Sequence, residues 1–187
     1  MDELNYCSVC GTKLHKKECG DEGYVQFCEK CNTFKFPMYS SAVSTVIFNK
    51  DKDKILLIQQ YGKKDNILVA GYINKGETPQ EALQREVKEE VNLKAVSWDY
   101  NNSIYFEKSN TLIHNFVVVV DDEKFRIKEN EVDYASWYTV EDAVKYVKPN
   151  SLAKTFLTGA LKVRGYIWLF YNLCYNTEKE WCLWVLF

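Results

Sequence analysis

Apolar and polar positions change rhythm several times along the chain. AVSTVIF (Ala42–Phe48) and KILLIQQ (Lys54–Gln60) are dense in β-branched and aliphatic residues and flank the charged turn NKDKDK, so both are predicted strands. TPQEALQREVKEEV has a different spacing. Thr78 sits at an N-cap, Pro79 at the first helical position and Glu81 three residues after the cap, a capping box that predicts a helix from Pro79 to about Val91. Leu83 and Val87 lie one turn apart toward a core, beside an acidic face of Glu86, Glu89 and Glu90. SIYFE and NTLIHNFVVVV read as further strands, and TVEDAVKYV and SLAKTFLTGALKV as helices capped by Thr139 and Ser151. The alternation of β and α segments predicts an α+β domain with no internal repeat.

The two ends depart from this pattern. Residues 4–37 carry five cysteines, few aliphatics and many turn formers, too little to build an apolar core, so a metal is the expected staple. The texture changes at Phe36–Met38, which divides the chain into a module at 1–37, a main domain at 38–163 and an aromatic-rich tail at 164–187. The tail holds three of the five tryptophans in two apolar runs broken by NTEKE, each far short of the ~20 residues that cross a bilayer. A hairpin or helix docked on the body is the first reading of it. A dimer patch, a peripheral membrane contact and a segment foreign to the domain are the others.

Composition narrows the choice. The 187 residues suffice for one domain with a small module, and 47% hydrophobic with 27% charged residues is a globular balance. A net charge of −2 supplies no field to hold nucleic acid or an anionic membrane, so neither partner is expected and any phosphate chemistry must come from a local site. The opening MDELNYCSVC lacks the basic patch and apolar run of a secretory leader, and a cytoplasmic location is expected.

Cys7-x-x-Cys10 and Cys28-x-x-Cys31 have the spacing of paired zinc knuckles, with Gly11 after the first pair able to adopt the positive φ of a knuckle turn. Four thiolates leave no open coordination position, so such a Zn²⁺ would be structural. A redox dithiol would instead open a helix in a βαβ unit, and disulfides disagree with a reducing compartment. Cys19 and His15 lie between the pairs and could each replace one ligand.

The stretch GYINKGETPQEALQREVKEEVNL concentrates the chemistry. Glu86, Glu89 and Glu90 stand at i, i+3 and i+4, and three carboxylates crowded on one helical face repel unless a positive group joins them. Mg²⁺ or Mn²⁺, which prefers oxygen ligands, is the simple remedy. Gly71, Glu77, Arg85, Glu86, Glu89 and Glu90 stand at fixed intervals ahead of Leu93. A chance match of six specified types, each at about 6% abundance, is remote. This pattern resembles the Nudix box, with Asn92 in place of the late glycine; asparagine also tolerates the left-handed conformation that ends a helix.

The resemblance implies a Nudix α/β/α sandwich with a mixed sheet, preceded by a zinc ribbon, and hydrolysis of a diphosphate joining a nucleoside to a second group. It implies that Glu86, Glu89 and Glu90 are metal ligands, with Glu89 or Glu90 helping to activate water. Arg85 and Glu77 would form a supporting pair, and Gly71 would offer its carbonyl or permit close approach. The segment ENEVDYASWY is similar to one in NADH pyrophosphatases that supplies a further acid, here Glu131. A ribbon ahead of a Nudix domain is also that branch's layout. It implies cleavage of NAD(H) to NMN(H) and AMP, a small-molecule nucleotide substrate and a homodimer. The branch's proline- and aromatic-rich substrate motif is replaced by NSIYFEKSNTLIHNF, where Ser103, Tyr105 and Phe106 are candidates for a stacking surface. ADP-ribose or a nucleoside triphosphate as substrate, and a non-catalytic nucleotide sensor, are the alternatives.

Overall fold

The computed structural model describes residues 5–165, and the aromatic run of the tail from residue 166 onward lies outside them. The chain divides into two compact units, with Tyr39 ending the first and Ser40 beginning the second.

The first unit is an antiparallel three-stranded sheet, in which β1 (His15–Glu18) pairs β2 (Tyr24–Cys28) and β2 pairs β3 (Thr33–Lys35). Its buried apolar side chains are few: Cys7, Leu14 and Cys28 cluster together, and Phe27 packs edge-on against Phe34 at 4.9 Å. A core of this size is too small to hold a fold by area burial alone.

In the second unit, β4 (Ser40–Phe48) is the spine of a mixed six-stranded sheet. It runs parallel to β8 (Thr111–Val120) over nine residue pairs. Its other edge is shared: residues 42–45 pair antiparallel with β6 (Val69–Tyr72), and Ile47 and Phe48 with β5 (Lys54–Gln59). β7 (Ala95–Phe106) closes one edge against β8, and β9 (Tyr134–Thr139) the other against β5.

Strand alternation sends side chains to two faces, and each face has its own core. Val43, Ile47, Leu56, Ile58, Val69, Phe116 and Val118 pack under Leu83, Val87 and Val91 of α1 (Pro79–Val91). Val46, Phe48, Ile55, Leu57 and Val117 pack under α2 (Val140–Tyr146) and α3 (Leu152–Val163), chiefly against Val144, Phe156, Leu157 and Leu161. The result is the α/β/α sandwich expected from the sequence. No described helix is long and apolar enough to cross a membrane.

The local signals behave as their chemistry requires. Thr78 accepts from the Glu81 backbone N–H while the Glu81 carboxylate accepts from the Thr78 backbone N–H, and Asn92 ends α1 at φ 54°. Thr139 and Ser151 cap α2 and α3 by the same kind of bond.

Candidate active site

The acidic helix places its carboxylates in three unequal environments. Glu86 and Glu90 face the sheet and are buried, whereas Glu89 points toward solvent with 45% of its side chain exposed. Gly71 explains how Glu86 fits. A Cβ on Gly71 would lie 2.0 Å from Glu86 Oε1 and 2.1 Å from the carboxyl carbon, so only glycine lets β6 pass beneath this carboxylate.

Arg85 ties the cluster to the loop before α1. Its Nε and Nη2 donate to the two Glu77 oxygens at 2.7 and 2.8 Å, the two-pronged geometry that suits a guanidinium. Nη2 also donates to the Tyr72 carbonyl at 2.9 Å, and Nη1 to Glu86, with Glu89 further off at 3.5 Å. Glu77 Oε2 also accepts from the Asn74 N–H, and the arginine bonds together with this one bring its carboxyl down to about 2. Part of the mutual repulsion expected among the glutamates is therefore met by a side chain of the box itself.

Glu90 lies beyond the reach of those bonds. The Gln60 amide donates to its Oε1 at 3.1 Å, while the buried Oε2 has no hydrogen-bond partner among the described residues. Burial, then the neighbouring Glu86 charge, pushes the Glu90 carboxyl up to about 8. Burial likewise raises Glu86, against the lowering effect of Arg85. An orphaned buried carboxylate oxygen beside a second buried carboxylate is a donor set suited to a hard dication.

The segment between β8 and β9 runs along the end of α1. Arg126 and Lys128 donate their backbone N–H groups to the Val91 and Glu90 carbonyls, both at 3.0 Å. This brings Glu131 close enough for its charge to raise both Glu86 and Glu90, while its own Oε1 accepts from Lys128 Nζ at 2.7 Å. Residues from the loop before α1, from α1 and from the loop before β9 are thus gathered at one end of the sheet. Gln60, the residue that follows β5, belongs to the same group although no motif singled it out.

The proposed stacking surface fares differently. Ile104 packs with the α2/α3 core, so Ser103 and Tyr105 stand on the opposite face from Ile104 and Phe106. The hydroxyl of Tyr105 donates to Asn110 Oδ1 at 2.6 Å. Tyr105 and Phe106 do not share a surface.

In the first unit, the Sγ atoms of Cys7, Cys10, Cys28 and Cys31 all lie within 4.8 Å of one another. Tetrahedral zinc with bonds near 2.3 Å needs sulfurs about 3.8 Å apart. Cys7–Cys31 at 3.9 Å and Cys10–Cys28 at 3.5 Å fit that demand. Cys19 and His15 are outside the cluster, and His15 Nε2 faces Glu29 Oε1 at 3.2 Å. The bond from Cys10 to the Thr12 hydroxyl helps bring its thiol down to about 6, while the Cys10 sulfur and burial push Cys31 up to about 12.

The fold is thus an α/β/α sandwich whose acidic helix buries two glutamates, one of them seated on the glycine of β6. Comparison with known proteins gives the family: the NUDIX domain matches residues 38–157, and the chain belongs to the Nudix family. Among curated proteins it is 25% identical over 154 residues to the NAD-capped RNA hydrolase NudC of Salmonella paratyphi C (strain RKS4594). That match covers 81% of this chain and 58% of the relative's length. Among solved structures, a NUDIX hydrolase from Nitrosomonas europaea superposes with a TM-score of 0.58 at 17% identity, over 87% of this chain and 94% of the other. The NUDIX domain of Shewanella oneidensis NrtR, complexed with ADP ribose, gives 0.57 at 16% identity, over 75% and 94%. These two likenesses establish the fold.

Proposed function

We propose that this chain is a divalent-metal-dependent pyrophosphohydrolase that adds water across the diphosphate of a nucleoside diphosphate derivative, with NAD(H), cleaved to NMN(H) and AMP, as its first substrate. The observation carrying the reaction class is the pair of buried carboxylates, Glu86 seated on Gly71 and Glu90 whose Oε2 has no partner among the described residues. NAD(H) is favoured by the likeness to NudC and by the cysteine cluster ahead of the domain.

Glu86, Glu89 and Glu90 would hold Mg²⁺ or Mn²⁺, with Glu131 and the Gly71 carbonyl contributing. Such an ion neutralises phosphoryl oxygens and lowers the pKa of water. The protein's own part is positional. Arg85, clamped by Glu77 and the Tyr72 carbonyl, fixes the Glu86 carboxylate. Glu89 or Glu90 would take the proton released by the attacking water. The oxygen of water forms the new P–O bond as the bridging P–O bond breaks, and the leaving phosphate departs with its electron pair. In the first unit, Cys7, Cys10, Cys28 and Cys31 would hold one structural Zn²⁺.

Purified protein incubated with Mg²⁺ or Mn²⁺ and a panel of NADH, NAD⁺, ADP-ribose and nucleoside triphosphates, with products separated by chromatography, tests the reading. NADH consumed to NMNH and AMP is the expected result. Cleavage of ADP-ribose with NADH intact would overturn the substrate and keep the reaction class. Tight binding without turnover of any compound would favour the nucleotide sensor.

A further inference from the structure

We propose that Gln60 is a positioning residue for Glu90: its amide takes up Oε1 and leaves Oε2 as the atom that receives the dication. The inference rests on the reading of Glu90 as a metal ligand and adds to the site a residue outside the acidic helix and its preceding loop.

Gln60 is 9% exposed and Glu90 4%, so their bond at 3.1 Å is shielded from water. In its ionised form, the form that would bind a dication, Glu90 can only accept, and the Gln60 amide already turns its NH₂ toward Oε1. Glu90 Oε1 then has its donor, and Oε2, equally buried, has none among the described residues. A buried oxygen without a partner is costly unless something positive meets it. Arg85 does not, since its bonds go to Glu77, Glu86, Glu89 and the Tyr72 carbonyl.

The backbone of Gln60 is held as firmly as its side chain. Gln59 is the last residue of β5, paired with Tyr134. A tight turn follows, in which Lys63 N–H donates to the Gln60 carbonyl at 3.2 Å and Tyr61 and Gly62 take φ of 59° and 68°. Positive φ at both central residues is the geometry of a type I′ turn. The Gly62 N–H donates to Asp133 Oδ2 at 2.7 Å, and the Asp133 N–H to the Gln59 carbonyl at 2.8 Å. The chain leaving β5 is thereby fastened to the segment that carries Glu131. A bulky tyrosine held in the left-handed region marks a turn whose shape is imposed by its surroundings.

The test uses the full-length, zinc-loaded protein. Free Mn²⁺, read by its electron paramagnetic resonance signal, gives metal affinity without nucleotide, and steady-state kinetics on the panel's best substrate gives kcat and KM separately. Gln60→Leu keeps the side chain's bulk and removes the donor. It is expected to weaken Mn²⁺ binding about 10-fold or more and to lower kcat by a similar factor, with KM for the nucleotide within about twofold. Gln60→Asn, an amide one methylene short, should behave alike, and decides alone where the leucine variant fails to fold. Mn²⁺ affinity within about twofold of the parent would overturn the inference. Glu90→Gln separates the two levels. If it binds Mn²⁺ as the parent does, Glu90 is no ligand and both readings fall; if it loses Mn²⁺ while the Gln60 variants keep it, only the role of Gln60 falls.

Discussion

At the level of single residues, steric and electrostatic fit are inseparable at Gly71 and Glu86. Even one methyl group at Gly71 would occupy the Glu86 carboxylate's position, 2.0 Å from Oε1. Gly71→Ala is therefore expected to evict Glu86, weakening Mn²⁺ binding and lowering kcat by 10-fold or more on the order of other losses of metal-site support. Titration calorimetry with Mn²⁺ checks it, and an alanine variant with parental affinity would contradict the geometry. Arg85→Lys keeps the charge but cannot bond both Glu77 oxygens, so a loss of about 10-fold in kcat is expected despite its conservative appearance. The buried carboxylates also fix a pH signature. Glu86 and Glu90 are raised in the folded state, Glu90 to about 8, so between the ordinary glutamate range and pH 8 the folded metal-free protein holds protons that the unfolded chain has lost. Stability must then fall as pH rises through that window, by at most about 1.4 kcal/mol per pH unit for each proton involved. Glu77, lowered to about 2, acts below this window and with the opposite sign. Thermal melts of metal-free protein from pH 5 to 8 should show the decline, and Glu90→Gln should flatten it.

Among secondary-structure elements, the sequence is most readable where a signal is local. The acidic helix α1 announces both its ends through Thr78, Pro79, Glu81 and Asn92, and each acts as its chemistry demands. Thr78→Ala should accordingly cost about 1 kcal/mol in a denaturant melt. β7 is less legible: only SIYFE reads as strand, yet pairing runs from Ala95 to Phe106. As an edge strand with most residues exposed or half-buried and two breaks in register, it lacks the apolar alternation that marks a core strand. The expectation of a stacking surface from Tyr105 and Phe106 overlooked the period of two. β6 and β9 carry no strand signal of their own because they are short, four and six residues, and their pairing is set by β4 and β5, distant in sequence. Gln60 falls within the predicted strand, but its bond spans 30 residues to Glu90, and no spacing rule reaches that far. The turn after it carries a cost that is testable apart from the chemistry. Tyr61 is 77% exposed at φ 59°, so Tyr61→Asn surrenders little packing and should stabilise the protein by about 1 kcal/mol.

For the whole molecule, two units are stabilised by different physics. The second has a sheet covered on both faces and two apolar cores, enough to fold by burial. The first has three strands around Cys7, Leu14 and Cys28, and its sulfurs stand where tetrahedral coordination needs them. With so little apolar area to bury, a metal held by these sulfurs would supply most of the free energy that orders this sheet. Zinc bound there would have to expel protons, since Cys31 is pushed up to about 12 and Cys28 is raised too, so its affinity should climb with pH. Removing the metal at mildly acid pH with a chelator is thus expected to unfold one unit and spare the other. Amide hydrogen exchange reads each separately: protection of Val25–Cys28 in β2 should vanish, while Val43–Ile47 in β4 keeps its slow exchange. Cys28→Ser should reproduce the pattern without chelator. If β2 stayed protected after elemental analysis showed no zinc, the cysteine cluster would be incidental to folding, and the small sheet would need another source of stability.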